Sequence, residues 1–176
     1  MNRYKDKWVV SEPKQIPYGF PKRTLGEKVR KVFNTILAFM AYRCPINRWR
    51  VKLHRWRGVN IGENVYIGMY CVLDNFAPEY IYIEDNVNIN AGTMILTHFN
   101  PDPRFKNLFV AEIRPVVISE LAMVSVRCTI LPGVNIGKYA FVSAGCVVEK
   151  NVPAYHLLQQ KADVHLVNIE KFVKNK

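Results

Sequence analysis

The sequence predicts an all-β solenoid, built as a parallel β-helix, on the evidence of one repeat and two apolar columns. Between Ile118 and Pro153 the chain repeats every six residues. Every first position is Ile or Val: Ile118, Val124, Ile130, Ile136, Val142 and Val148. Every fifth position is small or medium-sized and apolar: Ala122, Cys128, Val134, Ala140, Cys146 and Val152. Apolar residues make up 49% of the chain, so chance fills one such column in about 1% of cases. A fixed short period is typical of repeat folds.

The six-residue period indicates a short strand followed by a turn. A helix would repeat its apolar face every 3.6 residues and a two-sided strand every second residue. Gly133, Gly137 and Gly145 fall where turns need positive φ or a close backbone approach. The register also covers Ile61, Ile67, Leu73, Ile83, Ile89 and Ile95, slips near 76–82, breaks at 101–115 and returns at Val116. The alternative is a β-sandwich, in which turn signals recur every 8–12 residues.

Two motifs give the chain a resemblance to a known family. They are Ile130-Leu-Pro-Gly-Val-Asn-Ile-Gly and Ser143-Ala-Gly-Cys-Val-Val-Glu-Lys-Asn-Val-Pro, together with Ile95-Leu-Thr-His98 before a loop. Over about residues 50–158 the chain resembles the hexapeptide-repeat acyltransferases, which include galactoside, maltose, nodulation-factor and polysaccharide O-acetyltransferases. The resemblance implies a left-handed parallel β-helix, a homotrimer, and acyl-CoA bound between neighbouring subunits.

The distribution of charge divides the chain. Residues 1–57 hold 15 Lys and Arg against 3 Asp and Glu, a net of +12, and the remaining residues hold 10 against 11, a net of −1. We predict an N-terminal arm with basic amphipathic helices over 1–57 and a repeat domain over 58–153. The repeat domain carries an inserted loop at 99–115. A C-terminal strand and helix are predicted over 154–176.

Two amphipathic helices are expected in residues 24–57. Apolar residues recur at helical spacing after Thr24, which with Glu27 has the pattern of a capping box, and Pro45 ends this helix. A second basic stretch follows, with Ile46, Trp49, Leu53 and Trp56 on one face. This second helix is interpreted either as a cap on the open end of the solenoid or as a surface that contacts an anionic membrane, and the possible membrane contact is extended to residues 24–57. No nucleic-acid partner is predicted, because no recognition motif accompanies the charge.

The sequence predicts a cytoplasmic protein, with peripheral attachment to the inner membrane face left open. No apolar run approaches the ~20 residues that span a bilayer, and the charged first residues are not followed by a signal-peptide core. The cysteines are interpreted as buried thiols, rather than as disulfides or metal ligands, because Cys71, Cys128 and Cys146 occupy inward fifth positions and Cys44 precedes a proline.

His98 is the candidate catalytic residue. It lies in the repeat domain, directly before the inserted loop. Acyl transfer to a hydroxyl needs a base that takes up a proton near neutral pH, and histidine suits this role. In the resembled family a histidine at this place is that base. The alternative is a structural histidine.

Several Asp and Asn side chains of the repeat region are candidates for acceptor binding or for orienting the ring of His98: Asp74, Asn75, Asn88, Asn90 and Asn100. Each is also an ordinary turn residue. No metal site is predicted, because the related γ-type carbonic anhydrases need three histidines on adjacent coils and the repeat domain has His98 alone.

The resemblance places acetyl-CoA, as acyl donor, against Ala144, Lys150 and the Met123-Val-Ser-Val126 stretch, including Ser125. Ala144 matches a position whose backbone meets the pantetheine arm, and Lys150 matches a basic position near the adenosine phosphates. The chain departs from its relatives along this groove: Met123-Val-Ser-Val126 replaces Trp-Ile-Gly-Ala or Trp-Ile-Gly-Ser, Ser119 and Glu149 replace Gly and Thr, and Gln160–Asp163 replace a closing turn.

The predicted function is acetyl transfer from acetyl-CoA to a hydroxyl of a sugar, in a polysaccharide or glycolipid precursor. Two alternatives stay open. The departures along the groove would suit a catalytically inactive trimeric scaffold, and the same base would serve an N-acyltransferase acting on an amino sugar or antibiotic.

Overall fold

A computed structural model describes residues 8–18 and 24–160 of the chain. Two helices, α1 (Leu25–Arg43) and α2 (Asn47–Trp56), precede most of the strands. The strands are β1 (Lys14–Gln15), β2 (Asn60–Ile61), β3 (Tyr66–Ile67), β4 (Val72–Leu73), β5 (Ile81–Ile83), β6 (Asn88–Ile89), β7 (Met94–Ile95), β8 (His98–Phe99), β9 (Glu112–Ile113), β10 (Val116–Ile118), β11 (Met123–Val124), β12 (Thr129–Ile130), β13 (Asn135–Ile136), β14 (Phe141–Val142), β15 (Val147–Val148) and β16 (Leu157–Leu158). They are short because each six-residue unit holds one extended segment and one turn.

The strands form three parallel sheets, through which the chain passes in rotation. The first sheet contains β2, β5, β10 and β13, the second β3, β6, β11, β14 and β16, and the third β4, β7, β12 and β15. The Ile and Val column pairs in register, with Ile67 opposite Ile89 and Val124 opposite Val142. These four side chains have no exposed surface. The parallel coil that the sequence predicts is therefore confirmed, with the first positions inside.

The turns explain the glycines of the repeat. A Cβ atom on Gly137 would collide with the backbone nitrogen of Ala154 in the next coil, and a Cβ on Gly68 would collide with that of Ala91. Gly133 and Gly145 have φ angles of +86° and +73°, where a side chain is disfavoured. Both expected uses of glycine, close approach and positive φ, are confirmed.

Helix α2 covers the open end of the coil. It contacts β2 and β3, and Val51 joins the apolar core. The buried Arg50 donates a hydrogen bond from Nε to the carbonyl oxygen of Ile67 at 2.6 Å, which satisfies a terminal backbone acceptor. The cap interpretation is confirmed for this helix.

Helix α1 begins with the predicted capping box, in which Thr24 accepts from the Glu27 amide and the Glu27 side chain accepts from the Thr24 amide. The helix packs on α2, and Asn34, Leu37 and Ala41 are its buried residues. Its apolar stripe points away from the protein.

The predicted inserted loop is an antiparallel hairpin. Strand β8 pairs with β9, with His98 opposite Ile113, and the arm strand β1 pairs with the other edge of β9. Within the described residues 8–18 of the predicted N-terminal arm, strand β1 lies along the hairpin and Ser11 contacts Tyr82 of β5.

The C-terminal region begins with the expected short strand, since β16 pairs with β14. The predicted C-terminal helix lies outside the described residues. All four cysteines fall in the described ranges and carry free thiols, with Cys44 half-buried and the other three buried. Neither α1 nor α2, the two α-helices of the described ranges, is both long and apolar enough to cross a bilayer.

Candidate functional site

The central feature of the candidate site is a contact between His98 and Asp74. Asp74 directly follows β4, and His98 lies three residues after β7, the parallel neighbour of β4 in the third sheet. The two side chains therefore meet at the same edge of that sheet. The Nδ1 atom of His98 lies 2.6 Å from Oδ2 of Asp74. The Asp74 side chain is buried at 2% exposure, whereas that of His98 is 31% exposed, so the ring reaches solvent.

The Asp74 carboxylate is fixed by several further donors. Its Oδ2 accepts from the amide and hydroxyl of Thr97 at 2.8 and 2.9 Å, and its Oδ1 accepts from the amide of Phe76 at 2.7 Å. Burial alone would raise the pKa of Asp74, but the hydrogen bonds from His98, Thr97 and Phe76 outweigh it and lower the pKa to about 2. An ionised Asp74 accepts the Nδ1 proton of His98. The Nε2 atom then carries a lone pair, as a general base requires.

A buried arginine lies behind Asp74. Arg57 is 1% exposed, and its Nη2 donates to the carbonyl oxygens of Asp74 and Leu73 at 2.9 and 3.1 Å. It also donates to Oδ1 of Asn75 at 3.2 Å. Burial lowers the pKa of Arg57 to about 10, against the opposing effect of Asp74, so the guanidinium stays charged at neutral pH. The cation holds the turn from which Asp74 projects.

His54 supports this arginine and does not face the site. Its Nδ1 lies 2.9 Å from Nη1 of Arg57 and accepts from it, since a guanidinium has donors only. Burial, followed by the charges of Arg57 and Arg50, lowers the pKa of His54 to about 3. His54 therefore stays neutral down to about pH 3, whereas a surface histidine takes up a proton near pH 6.5.

Phe76 forms one wall of the site. Its ring stacks on the His98 ring, with centroids 4.7 Å apart and planes at 24°. Beside Phe76 a cavity of about 170 Å³ separates the turn after β4 from α1, and its lining includes Asn75, Arg30 and Asn34. Asn75 donates from Nδ2 to the hydroxyl of Thr35 at 2.8 Å, which ties α1 to the site.

The other predicted acceptor residues divide between two places. Asn100 follows β8, two residues after His98. Asn90 and Asn88 belong instead to the second sheet, where Asn90 donates to the carbonyl oxygen of Val124 at 3.1 Å. The structure therefore brings Asp74, Asn75 and Asn100 near His98 and leaves Asn90 one sheet away. Their predicted substrate contacts stay a prediction.

The predicted donor residues also fall in two places. Val126 and Ala144 are exposed on adjacent turns between the second and third sheets, joined by the amide of Gly145 donating to the Val126 carbonyl oxygen at 2.9 Å. Ser125 is half-buried in the same turn, and the half-buried Met123 lies on β11. Lys150 follows β15, at the carboxyl ends of the strands of the third sheet. His98 follows β7 at the same end of the sheet, two strands or about 10 Å away along the coil.

Known proteins with related sequences are named acetyltransferases. No family model matches the chain. The chain is 34% identical to YvoF of Bacillus subtilis, an acetyltransferase by name, over 97 residues that make up 54% of this chain and 52% of YvoF. It is 26% identical to WbbJ of Escherichia coli, named as a lipopolysaccharide biosynthesis O-acetyltransferase, over 71% of this chain and 80% of WbbJ. The match to YvoF thus spans about half the length of that relative.

Solved structures show the same architecture. The hexapeptide-repeat acetyltransferase of Vibrio cholerae superposes with a TM-score of 0.63 at 22% identity, covering 76% of this chain and 87% of that one. The chain has the fold of the hexapeptide-repeat acetyltransferases. The resemblance noted in the repeat motifs is confirmed. The Vibrio protein is also known as a complex with acetyl-CoA, which superposes with a TM-score of 0.56 at 19% identity.

The sequence motifs did not single out three residues of the site. Thr97, which binds Asp74 through two groups, immediately precedes His98 and is found by adjacency once His98 is chosen. Phe76 lies in the segment where the six-residue register slips, so no column predicts its position. Arg57 closes a basic stretch whose other cations are mostly exposed, and nothing in its type or spacing signals its burial.

Proposed function

We propose that the protein is an acetyl-CoA-dependent acetyltransferase that acylates a hydroxyl of a sugar, in a polysaccharide or glycolipid precursor. The observation that carries the proposal is the Asp74–His98 pair, in which a buried carboxylate orients a solvent-accessible imidazole. The named activities of the similar proteins support acetyl transfer, and the lipopolysaccharide O-acetyltransferase name of WbbJ supports a glycan acceptor.

The proposed reaction is a direct transfer in one active site. Nε2 of His98 removes the proton from the acceptor hydroxyl as its oxygen attacks the thioester carbonyl carbon. The tetrahedral intermediate then collapses, the carbon–sulfur bond breaks, and the imidazolium returns its proton to the departing CoA thiolate. Asp74 stabilises the transient positive charge on the ring. The products are an O-acetyl ester and CoA with a free thiol.

The donor is proposed to run along the third sheet, between the turn of Ala144 and Val126 and the edge that carries Lys150. This path agrees with the predicted donor contacts of Met123, Ser125, Val126, Ala144 and Lys150. Glu149 lies beside Lys150 on the same edge, so the local charge there is close to balanced. We expect phosphate binding at this end to depend strongly on Lys150.

The assembly is proposed to be a homotrimer of left-handed β-helices. Exposed apolar side chains on the coil support an interface: Val72, Met94 and Val147 of the third sheet, and Tyr66, Phe141 and Leu157 of the second, are each 37–57% exposed. Light scattering on the purified full chain should give a mass three times 20.4 kDa. A monomer would contradict the trimer.

Cytoplasmic location and contact of residues 24–57 with an anionic membrane also stay proposals. The charge imbalance of this segment supports the second.

Titration calorimetry with acetyl-CoA tests the proposed function at its first step. Acetyl-CoA should bind at micromolar concentration, and Lys150→Gln should weaken that binding while leaving binding of free pantetheine unchanged. Bound acetyl-CoA justifies an acceptor panel of sugars and amino sugars, with release of the CoA thiol as readout. Absence of binding at millimolar acetyl-CoA would overturn the proposal and favour the scaffold alternative.

A further inference from the structure

Helix α1 turns its apolar side outward. Seven large apolar residues of the helix are each at least half exposed, from 52 to 78%: Leu25, Val29, Val32, Phe33, Ile36, Phe39 and Met40. At 3.6 residues per turn they share one side, nearly opposite the buried Asn34, Leu37 and Ala41. The apolar stripe therefore adds little to the core of this chain. So large an exposed apolar surface is unusual on a soluble monomer.

Helix α2 extends the same apolar area. Ile46, Trp49 and Trp56 are 56, 48 and 59% exposed. A groove of about 400 Å³ lies between the helices, lined by Met40, Arg43, Cys44, Trp49, Leu53 and Trp56. The seven residues of α1 and these three form one region, which we call the outer helical surface.

Cations surround the outer helical surface. Residues 24–57 contain nine Lys and Arg, seven of them exposed and the other two the buried Arg50 and Arg57, against one acidic residue, Glu27, whose carboxylate caps α1. The guanidinium of Arg43 lies over the ring of Phe39 at 5.7 Å, and the ammonium of Lys52 lies over the ring of Trp49 at 5.1 Å. Positive groups are thus placed directly beside exposed aromatic rings.

We propose that the outer helical surface binds the headgroup and upper acyl region of an anionic lipid bilayer. Apolar side chains bury in the acyl boundary, tryptophan rings suit the headgroup level, and the flanking cations pair with lipid phosphates. The helices lie in the plane of the bilayer, since neither is long and apolar enough to cross it. A second copy of the same surface is a poor partner, because its cations would face like charges. This proposal goes beyond acetyl transfer and does not depend on it.

Vesicle flotation of the full chain tests the proposal without any substrate. The protein should float with vesicles of phosphatidylcholine and phosphatidylglycerol, and not with phosphatidylcholine alone. Binding should weaken at high salt. The triple variant Val32→Gln/Ile36→Gln/Phe39→Gln keeps good helix formers at exposed positions, and it should reduce the bound fraction by about tenfold or more. The variant Arg43→Glu/Lys52→Glu should also reduce the fraction bound to anionic vesicles.

A matched control replaces exposed apolar residues by Gln outside the outer helical surface. Val9 and Leu108 are 94% and 76% exposed and lie outside the outer helical surface, so Val9→Gln/Leu108→Gln should float like the unmodified protein. Equal loss in this control would show that binding is not specific to the surface. A Trp8→Phe background leaves Trp49 and Trp56 as the fluorophores, and their emission should shift to the blue on addition of anionic vesicles.

Two results would overturn the proposal. One is absence of flotation with anionic vesicles at low salt. The other is a triple variant that floats normally but changes the mass measured by light scattering, which would assign the surface to contact between copies of the chain.

Discussion

The carboxylate of Asp74 and the imidazole of His98, 24 residues apart, lie 2.6 Å from each other because consecutive coils end at the same edge of the third sheet. One side chain is buried and the other reaches solvent. The β-helix thus presents an oriented base, against which Phe76 packs and whose Asp74 turn is held by the Arg57 cation at the end of α2. This arrangement is the core of the proposed function.

Asp74→Asn should reduce acetyl transfer by about 100-fold or more, because an amide no longer fixes the Nδ1–H tautomer of His98. Steady-state release of CoA thiol measures the effect. The matched control is Asp102→Asn, which alters an exposed aspartate paired with Arg104 and should change turnover by less than about twofold. Full turnover in Asp74→Asn, with the fold intact by circular dichroism, would remove Asp74 from the mechanism.

Stability should fall as the pH is lowered from about 6.5 to about 3, because of His54. The unfolded chain binds a proton on this histidine below pH 6.5, whereas the folded protein keeps it neutral until about pH 3. Unfolding therefore takes up about one proton near pH 5, and the free energy of unfolding loses about 1.4 kcal/mol per pH unit from this group.

Urea unfolding at pH 7.5, 6.0 and 5.0 measures this slope. His54→Asn retains an acceptor for Arg57 but no titrating group, so its stability should depend less on pH in this window. An identical slope in the variant and the unmodified protein would rule out His54 as the source.

Gly137→Ala should destabilise the protein by about 2 kcal/mol or more, since the new Cβ meets the backbone of Ala154 and a coil must move. Gly26→Ala is the matched control. Its Cβ meets nothing within 4 Å, and alanine favours the helix, so this variant should be neutral or stabilised by up to about 1 kcal/mol. Thermal unfolding of both variants measures these changes in stability. A Gly137→Ala protein as stable as the unmodified one would contradict the observed coil spacing.

Much of the fold could be predicted because the repeat fixes both the strand and its inward face. Ile61, Ile67 and Ile89 occupy first positions, and each is at most 7% exposed. The direction in which α1 faces could not be predicted, since an amphipathic pattern indicates an apolar side without saying what covers it. The cap interpretation, made for the second helix, is confirmed for α2.

The candidate site was only partly predictable. A single histidine before a loop could be chosen from its position and the resemblance. The contact with Asp74 depends on how the coils align across the register slip at 76–82, which the period alone does not give. The burial of Arg57 depends on how α2 packs on the end of the coil, which the six-residue period does not give either.

Acetyl transfer by His98→Ala tests the central claim most directly. Turnover of acetyl-CoA with the best acceptor should fall by about 100-fold or more, because the general base is lost. Calorimetry should show acetyl-CoA bound within about twofold of the unmodified affinity, because His98 acts on the acceptor hydroxyl and is not among the proposed donor contacts. Unchanged turnover in His98→Ala would contradict the account.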